Sequence, residues 1–374
     1  MRPKEPGLSS DADSDNDAKT LPPLRILIDV VHPADVLFFL HPIRRLLNTG
    51  HEVLIASREK DVTHDLLKDF GLVHRSASKA GSGVVGLAWE LVLRDIKMLR
   101  LVKDFQPDIM CGFGGVSISH VGRVLGIPAI AFYDTDRAVL QQRLTLPFID
   151  GLYVPEVYDG PTAKGRTSRF AGIKELSYLH PENFNPDRER AEFAGLKLQR
   201  RNFVLRLVGW KANHDLNAQG LSDAQVLRLV SFLAERGCVH LTSERPLPEA
   251  LQCFRYRGSA RDFHHLLAHC DLYVGESATI ASEAIVLGVP AIYAVDDRRA
   301  YIDALVAEEL VFTTTDPSVE SLERVISATL EMNRESWKGR WRRWMTAKPN
   351  LASYIVEAIL RHAHGAKLSS APLD

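Results

Sequence analysis

The chain has 374 residues, 45% apolar and 25% charged, with 46 Lys and Arg against 47 Asp and Glu. A formal net charge of −1 excludes a broad electrostatic footprint for nucleic acid, so any anionic ligand must be held by a local site. The length is ample for two cores, and no window reaches the ~18 consecutive apolar residues that a membrane span requires.

Residues 1–20 include SSDADSDNDAKT and carry no large apolar residue after Leu8, so they read as a disordered tail. The tail lacks the apolar core of a secretory signal peptide, which points to a cytoplasmic protein. From Leu24 the pattern alternates. LRILIDVV is a β-branched apolar run expected as a buried parallel strand, and HPADVLFFLHPIRRLLNTG is a helix closed by Gly50. HEVLIAS is a strand and DVTHDLLKDFG a helix. A long helix is expected from about Val84 to Phe105, followed by the strand and glycine turn QPDIMCGFGG, the helix VSISHVGRVLG and the strands IPAIAFYD and GLYVP. PEVYDGPTAKGRTSR and HPENFNPDRER read as linker.

The pattern then restarts with the strand RNFVLRLVG, the helix SDAQVLRLVSFLAERG, the strand CVHLTS, the helix RDFHHLLAHC, the strand DLYVGE, the helix ATIASEAIVLG and the strand VPAIYAV. Consecutive helices fill residues 319 to 364. Such regular alternation predicts an α/β protein with two doubly wound, mostly parallel sheets. The expected division is a tail over 1–20, an N-terminal Rossmann-like domain over 21–180 and a C-terminal one over 181–345. A C-terminal helix and tail over 346–374 are expected to pack back on the first domain. The four cysteines form no CxxC pair and read as free buried thiols.

The segment VGESATIASEAIVLGVPAIY, residues 274–293, resembles the nucleotide-sugar site of glycosyltransferase-B enzymes. The resemblance places Ser277, Ala278 and Thr279, after Glu276, at the phosphate turn and Glu283 at the ribose position. Physical chemistry supports the assignment: a helix N-terminus offers unpaired N–H groups and partial positive charge to a diphosphate, and a carboxylate accepts ribose hydroxyls. The same residues also suit an ordinary strand–helix junction with a capping serine. Ala278 and Thr279 stand where the family has glycines. CGFGGVSISHVGRVLGIPAIAFYD resembles the glycine turn of the peptidoglycan N-acetylglucosaminyltransferase that acts on a lipid-linked acceptor, with Gly112, Gly114 and Gly115 in register. Over residues 24 to about 360 the chain resembles domain of unknown function family 354, through IDVVHPADVLFF, GHEVLIASREKDVT, GFGG, RLVGWKANHD, SERPLPE and the GES segment. That family looks distantly related to UDP-N-acetylglucosamine 2-epimerases and to glycosyltransferases, which implies the glycosyltransferase-B architecture.

In doubly wound sheets ligands sit beyond the carboxyl ends of the strands. The resemblance implies a proton-taking group after the first strand, where Asp35 stands, with His32 three residues earlier. The plainer alternative has Asp35 capping its helix and His32 supporting the turn. Asp134 and Asp136 follow IPAIAFY and either orient a sugar or cap the next helix. Trp210, Lys211, Asn213, His214 and Asp215 form a loop able to close over a diphosphate, with Arg206 donating charge-assisted bonds or serving a structural ion pair. His264, His265 and His269 have zinc-like spacing, but no acidic partner lies nearby in sequence, so they read as a solvated helix face. Trp337, Trp341 and Trp344 share one helix face that packs inward or, alternatively, lies on a membrane.

The leading functional reading is a metal-independent transferase that takes a sugar from a nucleotide-sugar, with UDP as the favoured nucleotide, to an acceptor in surface polysaccharide or glycoconjugate synthesis. It needs no cofactor beyond that substrate, and allows peripheral contact with the inner membrane face. The alternatives are a non-catalytic nucleotide-sugar-binding protein and a 2-epimerase. The epimerase resemblance would require an Asp after the GFGG glycine and a His-x-Glu on the next strand, where this chain has Phe113, Ala131 and Tyr133.

Overall fold

The computed structural model describes residues 23–59, 62–79, 83–136, 138–209, 220–297, 299–314, 316 and 318–365. The expected tail lies outside them. The first sheet contains β1 (Arg25–Val30), β2 (Glu52–Glu59), β3 (His74–Lys79), β4 (Ile109–Phe113), β5 (Ala129–Phe132), β6 (Gly151–Pro155) and β7 (Thr167–Phe170), in the spatial order β3-β2-β1-β4-β5-β6-β7. The second contains β8 (Arg201–Leu207), β9 (Gly237–Ser243), β10 (Leu272–Gly275), β11 (Ala291–Tyr293) and β12 (Val311–Thr313), in the order β12-β11-β10-β8-β9. All pairings are parallel, so each connection is a crossover and the helices cover both faces.

The helices of the first half are α1 (Pro33–Asn48), α2 (Thr63–Asp69), α3 (Gly83–Phe105), α4 (Val116–Leu125) and α5 (Val139–Thr145). Two short helices, α6 (Leu176–Leu179) and α7 (Arg188–Phe193), carry the chain across. The second half has α8 (Asp223–Ala234), α9 (Phe263–Ala268), α10 (Ala278–Val286), α11 (Ala300–Ala307), α12 (Val319–Glu331) and α13 (Arg334–Thr346). The last helix, α14 (Leu351–Ala363), packs on α1 and on the first sheet, where Tyr354 meets Tyr153 edge-on at 5.9 Å. The chain therefore crosses between the sheets twice. Asn183 of the first crossing donates from Nδ2 to Oδ1 of Asn350, the N-cap of α14, at 2.9 Å.

Three strands escaped the sequence reading. HRSASK and TSRF form the two edges of the first sheet and hold few large apolar residues, so nothing in their pattern marks a buried strand. VFT is a three-residue edge of the second. The Trp-rich helix α13 settles inward. Trp337 is 1% exposed, Trp344 is buried, and Trp341 donates from Nε1 to the carbonyl of Ile285 at 2.7 Å, which removes the membrane reading of this face. All four cysteines are free, yet only Cys111 and Cys270 are buried; Cys253 is exposed on a 3₁₀ turn. Among the described residues no helix is long and apolar enough to cross a membrane.

Candidate functional site

In each sheet the strand order reverses beside the first strand of that half, between β1 and β4 and between β8 and β10, so a crevice opens at the carboxyl ends there. At the first crevice β1 runs into α1 through a reciprocal cap. His32 Nδ1 accepts from the Ala34 amide at 3.2 Å, and Asp35 Oδ2 accepts from the amides of Val31 and His32, both at 2.9 Å. The capping role weighed for Asp35 is thus real. Burial lifts its carboxyl to about 7 against the pull of those two amides, so near neutral pH its protonated and ionised forms are both populated. Beside it, Gly114 and Gly115 have φ of 81° and 65°, and a Cβ on Gly114 would lie 2.0 Å from Gln141 Nε2. Only glycine fits this turn without strain.

Neither Asp134 nor Asp136 caps the helix that follows it: the N-cap of α5 is Ala138, with no side-chain cap. Asp134 Oδ2 accepts from Lys174 Nζ at 2.6 Å, and Lys174 lies 3.1 Å from Glu175 Oε1 and 5.2 Å from the centre of the Tyr301 ring. Asp136 Oδ2 accepts from the Ala300 amide at 3.2 Å, joining the two halves. Burial works against the Lys174 charge, but Asp134 and Glu175 hold its pKa well above the ordinary value. The carboxyl of the fully buried Glu175 is pushed up by burial to about 7. Lys174, Glu175 and Tyr178 went unnoticed in the sequence, where KELSY falls between the two linker segments.

At the second crevice Ser277 caps α10 through Oγ, which accepts from the Ile280 amide at 3.3 Å, and the Ser277 amide donates to Tyr273 Oη at 3.2 Å. Among the described residues the amides of Ala278 and Thr279 have no protein acceptor. The turn has no positive φ, so it does not need the family's glycines. Glu276 is a clamp: its carboxylate accepts from the Val208 amide at 2.7 Å and the Leu221 amide at 2.6 Å, the two shoulders of the loop that holds Asn213. Trp210, Lys211, Asn213, His214 and Asp215 themselves lie outside the described residues. Arg206 bonds Glu244, so the ion-pair alternative for it is what the chain adopts, and it still lines the cavity described next.

Glu283 lies one and a half turns into α10. Its Oε1 accepts from Tyr178 Oη at 2.7 Å and pairs with His264 Nε2 at 3.1 Å. Burial alone would raise this carboxyl; His264 and Tyr178 outweigh it and hold the group below its ordinary value. This overturns the reading of the histidine helix. His264 and His265 are buried, His264 has an acidic partner, and His265 Nδ1 accepts from the Asp187 amide at 2.9 Å. Among the described residues no three His, Cys, Asp or Glu side chains cluster to hold a metal ion.

A cavity of about 590 Å³ separates the halves. Its walls include Leu37 and His41 of α1, Tyr178 of α6, Arg206 of β8, and Ile280 and Glu283 of α10. The helices that start at the two crevices therefore face each other across one space, whose walls mix apolar side chains such as Leu37 and Phe184 with the cations Arg44, Arg190, Arg206 and Arg261.

The model of the family described as "Protein of unknown function (DUF354)" matches residues 24–342, and the chain belongs to that family. An uncharacterized protein of Methanocaldococcus jannaschii is 24% identical over 155 residues, 41% of this chain and 44% of that protein. A GDP-mannose-dependent alpha-mannosyltransferase of Mycobacterium tuberculosis is 33% identical over 104 residues, 25% of this chain and 26% of that protein. The matches thus span less than half of either relative. Among solved structures, UDP-GlcNAc 2-epimerase from Neisseria meningitidis bound to UDP-GlcNAc superposes with a TM-score of 0.67 at 13% identity, over 90% of this chain and 100% of that one. Acinetobacter baumannii MurG superposes with a TM-score of 0.59 at 17% identity, over 91% and 100%. Spinosyn rhamnosyltransferase SpnG complexed with spinosyn aglycone gives 0.61 at 15% identity, over 90% and 99%. The chain has the two-domain architecture of these glycosyltransferases and epimerases.

Proposed function

We propose that this member of the DUF354 family binds a nucleotide-sugar, with UDP as the favoured nucleotide, and transfers the sugar to an acceptor hydroxyl. The observation that carries the reading is that α1 and α10 line one cavity from opposite halves, through Leu37 and His41 and through Ile280 and Glu283, while Asp35 and the Ser277–Thr279 turn stand at the starts of those two helices, outside the lining itself. The amides of Ala278 and Thr279 suit a diphosphate, and Glu283, already oriented by His264, suits ribose hydroxyls. Asp35 takes the acceptor proton, because a carboxyl poised near neutrality both loses and regains a proton at working pH. Asp134, locked to Lys174, supports the cleft and is not free to be the base. The epimerase alternative is weakened by Phe113, Ala131 and Tyr133, which stand where the resemblance calls for an Asp, a His and a Glu. The rings of Phe113 and Tyr133 lie 6.2 Å apart, tilted by 44°.

The test is titration calorimetry with UDP-, GDP- and dTDP-sugars, followed by donor turnover with acceptors of the matched class. Asp35→Asn is expected to keep donor affinity and lose at least ~100-fold in turnover, the low end for a lost general base. His32→Ala is the comparison; if it loses turnover and Asp35→Asn does not, the proton goes to the histidine. Donor binding without turnover for any acceptor would leave a nucleotide-sugar-binding protein.

A further inference from the structure

Helix α3 is inside out over its central turns. Its buried side carries charge: Glu90 takes two bonds from Arg58, at 2.6 and 2.5 Å, and Arg94 pairs with Asp29. Its solvent side carries Trp89, Val92, Leu93 and Ile96, spaced i, i+3, i+4, i+7, with Trp89 64% exposed. A helix on a water-facing surface gains by the reverse arrangement. The outer faces of α4 and α5 add exposed Val124 and Leu140, the latter 73% exposed. His120 ties the three helices into one surface, with Nδ1 2.8 Å from Asp95 of α3 and Nε2 3.0 Å from the carbonyl of Leu144 in α5. Toward its C-terminus the stripe on α3 turns basic, with exposed Lys97, Arg100 and Lys103, and Arg123 and Arg143 stand exposed on α4 and α5. Among the described residues none of these five cations has a carboxylate within ion-pair distance.

We infer that this face of the first half docks on an anionic phospholipid bilayer. Trp89 and its apolar neighbours enter the headgroup–acyl boundary, and the unpaired cations meet lipid phosphates. A second copy of the chain is the poorer occupant, because self-pairing would bring the same uncompensated cations together. The N-termini of α3 and α5 follow the carboxyl ends of β3 and β5, so the apolar half of the surface borders the same edge of the sheet as the cleft.

Co-sedimentation of the full chain with vesicles of phosphatidylcholine alone, and with phosphatidylglycerol added, tests this without any donor or acceptor, so its outcome is separate from that of the transfer reading. Binding is expected only with phosphatidylglycerol present and is expected to weaken as salt rises. Trp89→Glu with Leu93→Glu should lower the bound fraction at least tenfold at an unchanged melting temperature. Lys97→Glu with Arg100→Glu should lower it several-fold and flatten the salt dependence. Absence of wild-type binding, or binding untouched by both pairs, overturns the proposal. So does a concentration-dependent dimer in sedimentation equilibrium that Trp89→Glu abolishes, which would give the face to a second copy.

Discussion

Asp35 and Glu283 are buried to the same degree, 4% exposed, and their helices both start at the carboxyl edge of a parallel sheet, yet their surroundings drive them in opposite directions. Asp35 has only backbone amides to answer its charge, so desolvation wins and its carboxyl rises to about 7. Glu283 has His264 and Tyr178, and its carboxyl is held low. Burial sets the cost of a charge; the partner decides which protonation state survives. The same topology thus holds a carboxyl near neutrality in its titration in one half and a fixed anion in the other.

Removing the anion should have the larger effect. Glu283→Ala leaves His264 buried without its partner and is expected to cost about 3–5 kcal/mol in chemical denaturation, as breaking buried pairs does. Asp35→Asn, which removes a costly charge and leaves an oxygen to cap α1, should change stability by less than about 1 kcal/mol. Equal losses would show that the two sites are not different in kind.

The pH dependence sharpens the contrast. Asp35 and Glu175 have folded values near 7 against 3.8 and 4.5 unfolded, so the stability tied to their protonated forms is complete below the unfolded values. It is lost as pH rises through 7, by up to about 3 kcal/mol for Glu175. Glu283 runs the other way: its contribution is present above 4.5 and is lost as pH falls through its lowered folded value. Melting temperature should therefore decline from pH 5 to pH 8, and Glu175→Gln should flatten that decline. A flat wild-type profile would mean that both carboxyls are solvated.

The smallest effects concern the two turns. Gly114→Ala imposes a side chain at φ 81° and should cost about 1–2 kcal/mol. Ala278→Gly should cost at most about 1 kcal/mol, since its turn never enters the left-handed region. A reversed order in thermal melts would mean that the second turn is strained after all.

Most strands of both sheets were legible because LRILIDVV, IPAIAFY and FVLRLVG are apolar runs broken by at most two charged residues, the mark of strands buried on both faces. β3 and β7 were not, because edge strands are half solvated and carry no such run. The cap at His32 and Asp35 was readable as an alternative from local spacing alone. The partnership of His264 with Glu283 was not: the residues are 19 positions apart, on helices brought together by β10, and no periodicity reports such a pairing. Lys174 and Tyr178 were hidden for the same reason, since their partners Asp134 and Glu283 are 40 and 105 residues away.

The chain passes between the halves twice, and Asn183 and Asn350 bond the two passages to each other. Two bodies on a single tether can twist and splay about many axes. On paired tethers fastened side by side they are left with one easy motion, like a lid on two adjacent hinges. Any opening of the cleft is thereby channelled into a single swing, which returns the faces of α1 and α10 to the same register each time it closes.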